Sequence, residues 1–258
     1  MRYDFGSDNT AGMAPEALEA LTEANAGHAS AYGTDPITAR AAEAVRARLD
    51  ADAEVRFVFS GTAANAIGLS MLARPFEAVA AHHAAHVCTD ESGAPGFFGQ
   101  GLGLIGLPGF SGKIDPIGLE AILEETEVGH RQPVAALSLT QATEYGAVYT
   151  VDELRKLIEP AKARGLGVHL DGARLANAAA AGFDLGQIAR LGVDVLVLGG
   201  AKAGAGCSEA LVLFDKSLAR RLDNRLKQAG QMSSKTRFLS APILGLLESG
   251  AWDDRAAH

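Results

Sequence analysis

Seven short apolar runs, most of them separated by stretches of helical periodicity, constrain the fold of this chain more than any other feature. They are Val55–Phe59, Glu77–Ala81, Leu102–Leu107, Val134–Leu139, Gly167–Leu170, Val193–Leu198 and Ala210–Phe214. Several are apolar on successive residues rather than alternate ones, the mark of strands buried on both faces. Helical patterns fall at Pro15–Ala26, Pro36–Leu49, Ala63–Leu72, Ile117–Glu125, Val151–Arg164 and Leu175–Ala180, with Asp35 where an N-cap belongs. Asp215–Gly230 and Ser234–Leu247 then read as two consecutive helices, where the strand–helix rhythm ends. The expected class is α/β, a mainly parallel sheet with helices on both faces.

Composition narrows the function classes. A formal net charge of −8 and the lack of a basic run argue against nucleic acid as a partner. No stretch approaches eighteen apolar residues and Met1–Phe5 has no apolar signal core, so no membrane partner and a cytoplasmic location are expected. Cys88 and Cys207 form no metal pattern and suit a reducing compartment. His82, His83 and His86, near Asp90 and Glu91, suggest a metal site only if they lie on one helix. The flanking residues read as a strand end and loop, so no metal is expected.

In open α/β sheets ligands sit beyond the carboxyl ends of the strands, and three strand ends carry chemistry. Ser60-Gly61-Thr62-Ala63-Ala64-Asn65 is a small-residue turn opening a helix, able to bring backbone N–H groups to a phosphate or simply to pack closely. It is neither a dinucleotide fingerprint nor a nucleotide-triphosphate loop. Val168-His169-Leu170-Asp171-Gly172-Ala173-Arg174 ends a strand in a carboxylate, which reads equally as a helix cap or as an anionic partner for a cofactor's ring nitrogen. Val195–Leu198 runs into Gly199-Gly200-Ala201-Lys202, a lysine among small residues that could form an imine or could face solvent. Together, in this chain order, the three supply what pyridoxal 5'-phosphate needs: a phosphate cradle, a partner for the pyridine nitrogen and an amine.

At this point the sequence resembles the low-specificity L-threonine aldolases, within the fold-type-I pyridoxal-phosphate enzymes, over essentially its whole length. Phe5-Gly6-Ser7-Asp8 resembles the family's F-x-S-D opening and Tyr32-Gly33-Thr34-Asp35-Pro36 its Y-G-x-D-P segment. His86–Ala94 is similar to the stretch with the cofactor-stacking histidine, and His169–Leu175 to H-x-D-G-A-R-L, the most discriminating string. The resemblance implies that Lys202 binds the cofactor aldehyde, Asp171 the pyridine nitrogen, and Gly61 and Thr62 the phosphate. His86 would stack on the ring and, with Lys202 and Asp171, be catalytic. Arg174 would bind the substrate carboxylate, with Ser7 and Tyr32 close by, Tyr32 across a subunit boundary. The implied reaction is retro-aldol cleavage of L-threonine, L-allo-threonine and related β-hydroxy-α-amino acids to glycine and an aldehyde.

Two positions depart from the family's pattern. Thr143 stands where many members have a second active-site histidine, and Ala201 precedes the lysine where a hydroxyl residue is usual. Another fold-type-I lyase, β-eliminating in its chemistry, and a cofactor-binding protein with little activity are the alternatives. The expected division is an N-terminal arm over residues 1–14, a cofactor-binding large domain over 15–233, and entry helices of a truncated small domain over 234–258. Part of the apolar stripe Phe238, Leu239, Ile243, Leu244 and Leu247 would then face water or a neighbour, which points to a homo-oligomer, a dimer or tetramer.

Overall fold

The computed structural model describes residues 6–124 and 129–257, so Phe5 of the opening motif lies outside the described residues. Helices α1 (Pro15–Ala24) and α2 (Pro36–Leu49) come first. Asp35 caps α2 as expected, accepting from the Thr38 backbone N–H at 2.8 Å and from its hydroxyl at 2.8 Å. Strand β1 (Glu54–Val58), helix α3 (Gly61–Leu72) and β2 (Ala78–His82) follow, then two short helices, α4 (His86–Thr89) and α5 (Ala94–Phe98). Next come β3 (Gly103–Leu107), the small hairpin β4 (Gly109–Phe110) and β5 (Lys113–Ile114), α6 (Pro116–Glu124) and β6 (Val134–Thr140). The remaining units are α7 (Val151–Ala163), β7 (Gly167–Gly172), α8 (Leu175–Ala180), α9 (Gln187–Arg190), β8 (Val195–Gly199) and β9 (Glu209–Leu213). Three helices close the chain: α10 (Leu222–Gln228), α11 (Arg237–Ser249) and α12 (Ala251–Ala256).

The main sheet has seven strands in the order β1-β9-β8-β7-β6-β2-β3. Strands β8, β7, β6, β2 and β3 are parallel, while β9 runs antiparallel to both β8 and β1. Two reversals restore the direction of β1, so the carboxyl ends of β1, β2, β6, β7 and β8 and the start of β9 share one edge. Strands β2, β8 and β9 are buried at every position, as their uninterrupted apolar runs require. No helix among the described residues is long and apolar enough to cross a membrane.

Two expectations change at the C-terminal end. The helix expected over Asp215–Gly230 is broken: a 3₁₀ turn at Lys216–Ala219 and α10 meet at Arg221, whose φ of +64° no helix can contain. The kink lets Leu222 and Leu226 enter the apolar cluster of Val58, Ile67, Val197 and Leu211, with Leu218 packed at its edge. The stripe on α11 is covered more than expected, although Phe238, Leu239 and Leu247 stay half-buried. Ile243 and Leu244 are buried in the main core with Ala17 of α1 and Ala41 and Val45 of α2, and Trp252 of α12 joins them at 1% exposure. Ion pairs Arg40–Glu248, Arg48–Asp253 and Arg255–Glu16 fasten the same helices at the surface. The apolar contact carries more of the attachment, because exposed pairs contribute about 0–1 kcal/mol each.

Candidate active site

A cleft of about 310 Å³ opens at the shared strand edge. It is lined by Gly61, Thr62 and Asn65 of α3, His86 of α4, Thr140 and Glu144 at the end of β6, Asp171 and Arg174 around the end of β7, Lys202 after β8 and Glu209 at the start of β9. Six of the eight sequence-derived site residues therefore meet here: Lys202, Asp171, His86, Gly61, Thr62 and Arg174. Ser7 and Tyr32 do not line it. Ser7 is exposed and caps its own turn, its Oγ accepting from the Asn9 backbone N–H at 3.2 Å, while Asn9 lines the cleft. Tyr32, 50% exposed, lines a separate cavity of about 230 Å³ with Thr34, Phe57 and Met232, and Lys227 Nζ lies 4.9 Å from its ring centre.

Lys202 sits in a five-residue turn, Ala201–Ala205, that β8 enters through two glycines. A Cβ on Gly199 would lie 2.4 Å from the Ala173 carbonyl oxygen, and one on Gly200 2.3 Å from that of Ser208, so neither position accepts a side chain. Both ends of the chain buttress this turn. The Ala14 backbone N–H donates to the Gly204 carbonyl at 2.9 Å, and the Trp252 indole N–H donates to the Gly199 carbonyl at 3.4 Å. From below, the buried Glu209 carboxylate accepts the Gly200 N–H at 2.7 Å. Burial pushes the Glu209 pKa up to about 7, opposed by the backbone N–H bonds and by Lys202.

Asp171 is 4% exposed on the cleft floor. Its Oδ1 accepts from the Ala173 N–H at 2.9 Å and its Oδ2 from the Asn65 side-chain amide at 2.8 Å, and it makes no ion pair among the described residues. The Asn65 amide also donates to Glu91 Oε1 at 2.8 Å, and His86 Nδ1 meets that same oxygen at 2.9 Å. A continuous chain of polar contacts thus links Asp171 to His86. The Glu91 carboxylate raises the His86 pKa against the opposing effect of burial, and burial raises that of Glu91 itself. Ser60 caps α3, its Oγ accepting from Ala63 N–H at 3.3 Å, and the first-turn N–H groups face the cleft end of a twelve-residue helix.

Arg174 already holds a carboxylate. Its Nε donates to Asp8 Oδ2 at 2.6 Å and its Nη2 to Asp8 Oδ1 at 3.3 Å. Thr143 is buried and tied into its own loop, donating to the Ser111 carbonyl at 2.8 Å and accepting from the Ala147 N–H at 3.0 Å. The histidines do not share a helix face, because His82 ends β2 and His86 begins α4. Among the described residues no group of three or more metal-ligating side chains converges.

Sequence reasoning passed over Asn65, Glu91 as a partner of His86, Glu144 and Glu209. Asn65 follows Gly61 by one helical turn and so shares its face. Glu144 lies just past the end of β6, where the strand-end rule directs attention. Glu209 had no such signal, since its place depends on β9 running antiparallel and so beginning at the active edge.

Comparison with known proteins follows this geometry. Residues 4–258 match the family described as beta-eliminating lyase. A low-specificity L-threonine aldolase from a Pseudomonas species is 46% identical over 257 residues, covering 98% of this chain and 74% of that protein. The structure of a Leishmania major threonine aldolase superposes with a TM-score of 0.94 at 32% identity, covering 100% of this chain and 75% of that one. An aspartate aminotransferase from Thermus thermophilus, 18% identical with a TM-score of 0.73 over 96% of this chain and 66% of its own, shares the fold.

Proposed function

The chain belongs to the beta-eliminating lyase family, alongside the low-specificity L-threonine aldolases, and from that premise we propose that it cleaves L-threonine, L-allo-threonine and related β-hydroxy-α-amino acids to glycine and an aldehyde. The observation that carries this reading is the meeting of Lys202, Asp171 and the Gly61–Thr62 turn in one cleft. Those residues suit pyridoxal 5'-phosphate. A buried carboxylate with no cationic partner among the described residues calls for a cation, which a protonated pyridine nitrogen supplies. The amine of Lys202 suits the aldehyde, and the start of α3 suits the phosphate. When bound, the cofactor supplies the electron sink that cleavage at Cα needs.

The protein's own groups bind and orient. His86, braced by Glu91, is the flat group for one face of the ring. Arg174 takes the substrate carboxylate as a charge-assisted pair, releasing Asp8 as it does so. Holding that carboxylate selects which bond at Cα breaks. Ser7 approaches the substrate from the arm of residues 1–14 through its neighbour Asp8. The cofactor belongs to the domain of residues 15–233, flanked by the helices of 234–258. Tyr32, exposed and away from its own cleft, serves the site of a neighbouring subunit in a homo-oligomer, a dimer or tetramer. Two free cysteines support a cytoplasmic setting.

The test is a pair of substrates given to the cofactor-loaded protein. L-Threonine should yield glycine and acetaldehyde, while β-chloroalanine, which has no β-hydroxyl, should be processed poorly. Pyruvate from β-chloroalanine as the dominant product, with no aldehyde from threonine, would assign β-elimination instead.

A further inference from the structure

Retro-aldol cleavage needs a base for the substrate's β-hydroxyl proton, and Thr143, one of the two departures from the family's pattern, has a hydroxyl already bonded on both sides. The other charged groups lining the cleft are committed as well, Arg174 to Asp8. Both oxygens of Asp171 are engaged at the cleft floor, and Glu209 is buried beneath the lysine turn with its Oε2 on the Gly200 N–H. Lys202 is reserved for the cofactor. His86 meets Glu91 through Nδ1, and its flat ring is assigned to the face of the cofactor.

Glu144, the residue after Thr143, differs from all of these. It lines the cleft with His86, Lys202 and Arg174. Its Oε1 accepts from the His86 backbone N–H at 2.8 Å and from the Thr140 hydroxyl at 3.3 Å, which fixes the carboxylate on the His86 side. Its Oε2 is buried and has no hydrogen-bond partner among the described residues. A buried carboxylate oxygen left without a donor is costly, and a substrate hydroxyl is a donor of the right kind.

We propose that Glu144 is the catalytic base that takes the β-hydroxyl proton, an assignment that rests on the retro-aldol reading above. Glu144 Oε2 accepts the proton as the O–H bond breaks, and that bond's electron pair becomes the second C–O bond of the aldehyde. Pyridoxal phosphate held by Lys202 and Asp171 would supply the sink for the Cα–Cβ pair. A second proton, from solvent, completes glycine at Cα, and Glu144 returns its own proton to water. Thr143 secures the loop that places Glu144 just past the end of β6.

The experiment compares wild type, Glu144→Gln and Glu144→Asp in the full chain loaded with pyridoxal phosphate. Three readouts are taken: threonine cleavage, exchange of the glycine α-proton in deuterated water by NMR, and the dissociation constant of the cofactor by absorbance. Glycine has no β-hydroxyl, so its exchange does not call on this base. The expected result for Glu144→Gln is a loss of cleavage on the order of 10²–10⁴-fold with exchange and cofactor affinity retained, and partial recovery in Glu144→Asp. Wild-type cleavage in Glu144→Gln would overturn this assignment alone. So would parallel losses in all three readouts, because they would make Glu144 a prop for His86. A wild type that exchanges the glycine proton but cleaves no threonine would overturn the retro-aldol reading and this inference with it.

Discussion

Replacing Glu209 by Gln tests how tightly the lysine turn is built onto its buried support. The carboxylate is 5% exposed, accepts the Gly200 N–H at 2.7 Å, and has its pKa raised to about 7 by burial. In the unfolded chain it titrates near the ordinary value of 4.5. Below that value it is protonated in both states and has no pH-linked effect. Between the two values the folded protein keeps a proton that the unfolded chain has lost, so raising the pH costs stability. Above about 7 the whole cost is present. Linkage puts the change between about pH 5 and about pH 8 at roughly 2–3 kcal/mol. Glutamine retains an oxygen for the Gly200 N–H but does not titrate. His169 opposes this trend in wild type. It is fully buried and its pKa is lowered to about 4, so its contribution rises with pH from about 4 to the ordinary value of 6.5. That contribution is common to both proteins and cancels in their difference. Urea denaturation of the cofactor-free proteins should therefore show Glu209→Gln gaining on wild type by roughly 2–3 kcal/mol from about pH 5 to about pH 8. Parallel stability–pH curves would refute the reasoning, since a carboxylate with an ordinary pKa would have to be solvated.

Further outcomes follow from other contacts. Arg174→Ala should weaken amino-acid binding about ten- to a hundredfold, the loss of a charge-assisted pair worth roughly 1.5–3 kcal/mol, while cofactor affinity holds; titration with glycine, followed by absorbance, reads both. Asp8→Asn should move the other way and tighten glycine binding in the same titration, because the carboxylate that occupies Arg174 is gone. Trp252→Ala should cost about 3–5 kcal/mol in urea denaturation, since the indole is 1% exposed in the main core; a cost below about 1 kcal/mol would mean that α12 is not part of that core. Light scattering should give a mass above that of one chain, and a monomer would remove Tyr32 from any neighbour's cleft.

Legibility of the sequence tracked how local each signal was. The ends of α2 and α8 came out as expected because Pro36, Asp35 and the flanking residues mark them within a turn. All seven apolar runs are strands; β2, β8 and β9 read most plainly because they are buried at every position, whereas β1 and β3, at the two edges of the sheet, are partly exposed. Lys202, Asp171 and Gly61 were visible because each lies at or just past the end of a strand, where the backbone alone fixes their common edge. What failed needed tertiary information. The break at Arg221 is dictated by Leu222 and Leu226 reaching a core that no local window contains. The burial of Ile243 and Leu244 on α11 depends on α1 and α2, some two hundred residues earlier. The bond between Arg174 and Asp8 and the support of Glu209 join residues whose proximity only the folded sheet creates.

The most direct test of the whole account is to fix the cofactor where it is held. Protein loaded with pyridoxal phosphate is reduced with borohydride, digested, and mapped by mass spectrometry. The account predicts one pyridoxyl-modified lysine, Lys202, and no modified peptide or visible cofactor band in a folded Lys202→Ala variant. A modification that falls on another lysine, or a band that persists in that variant, would contradict it.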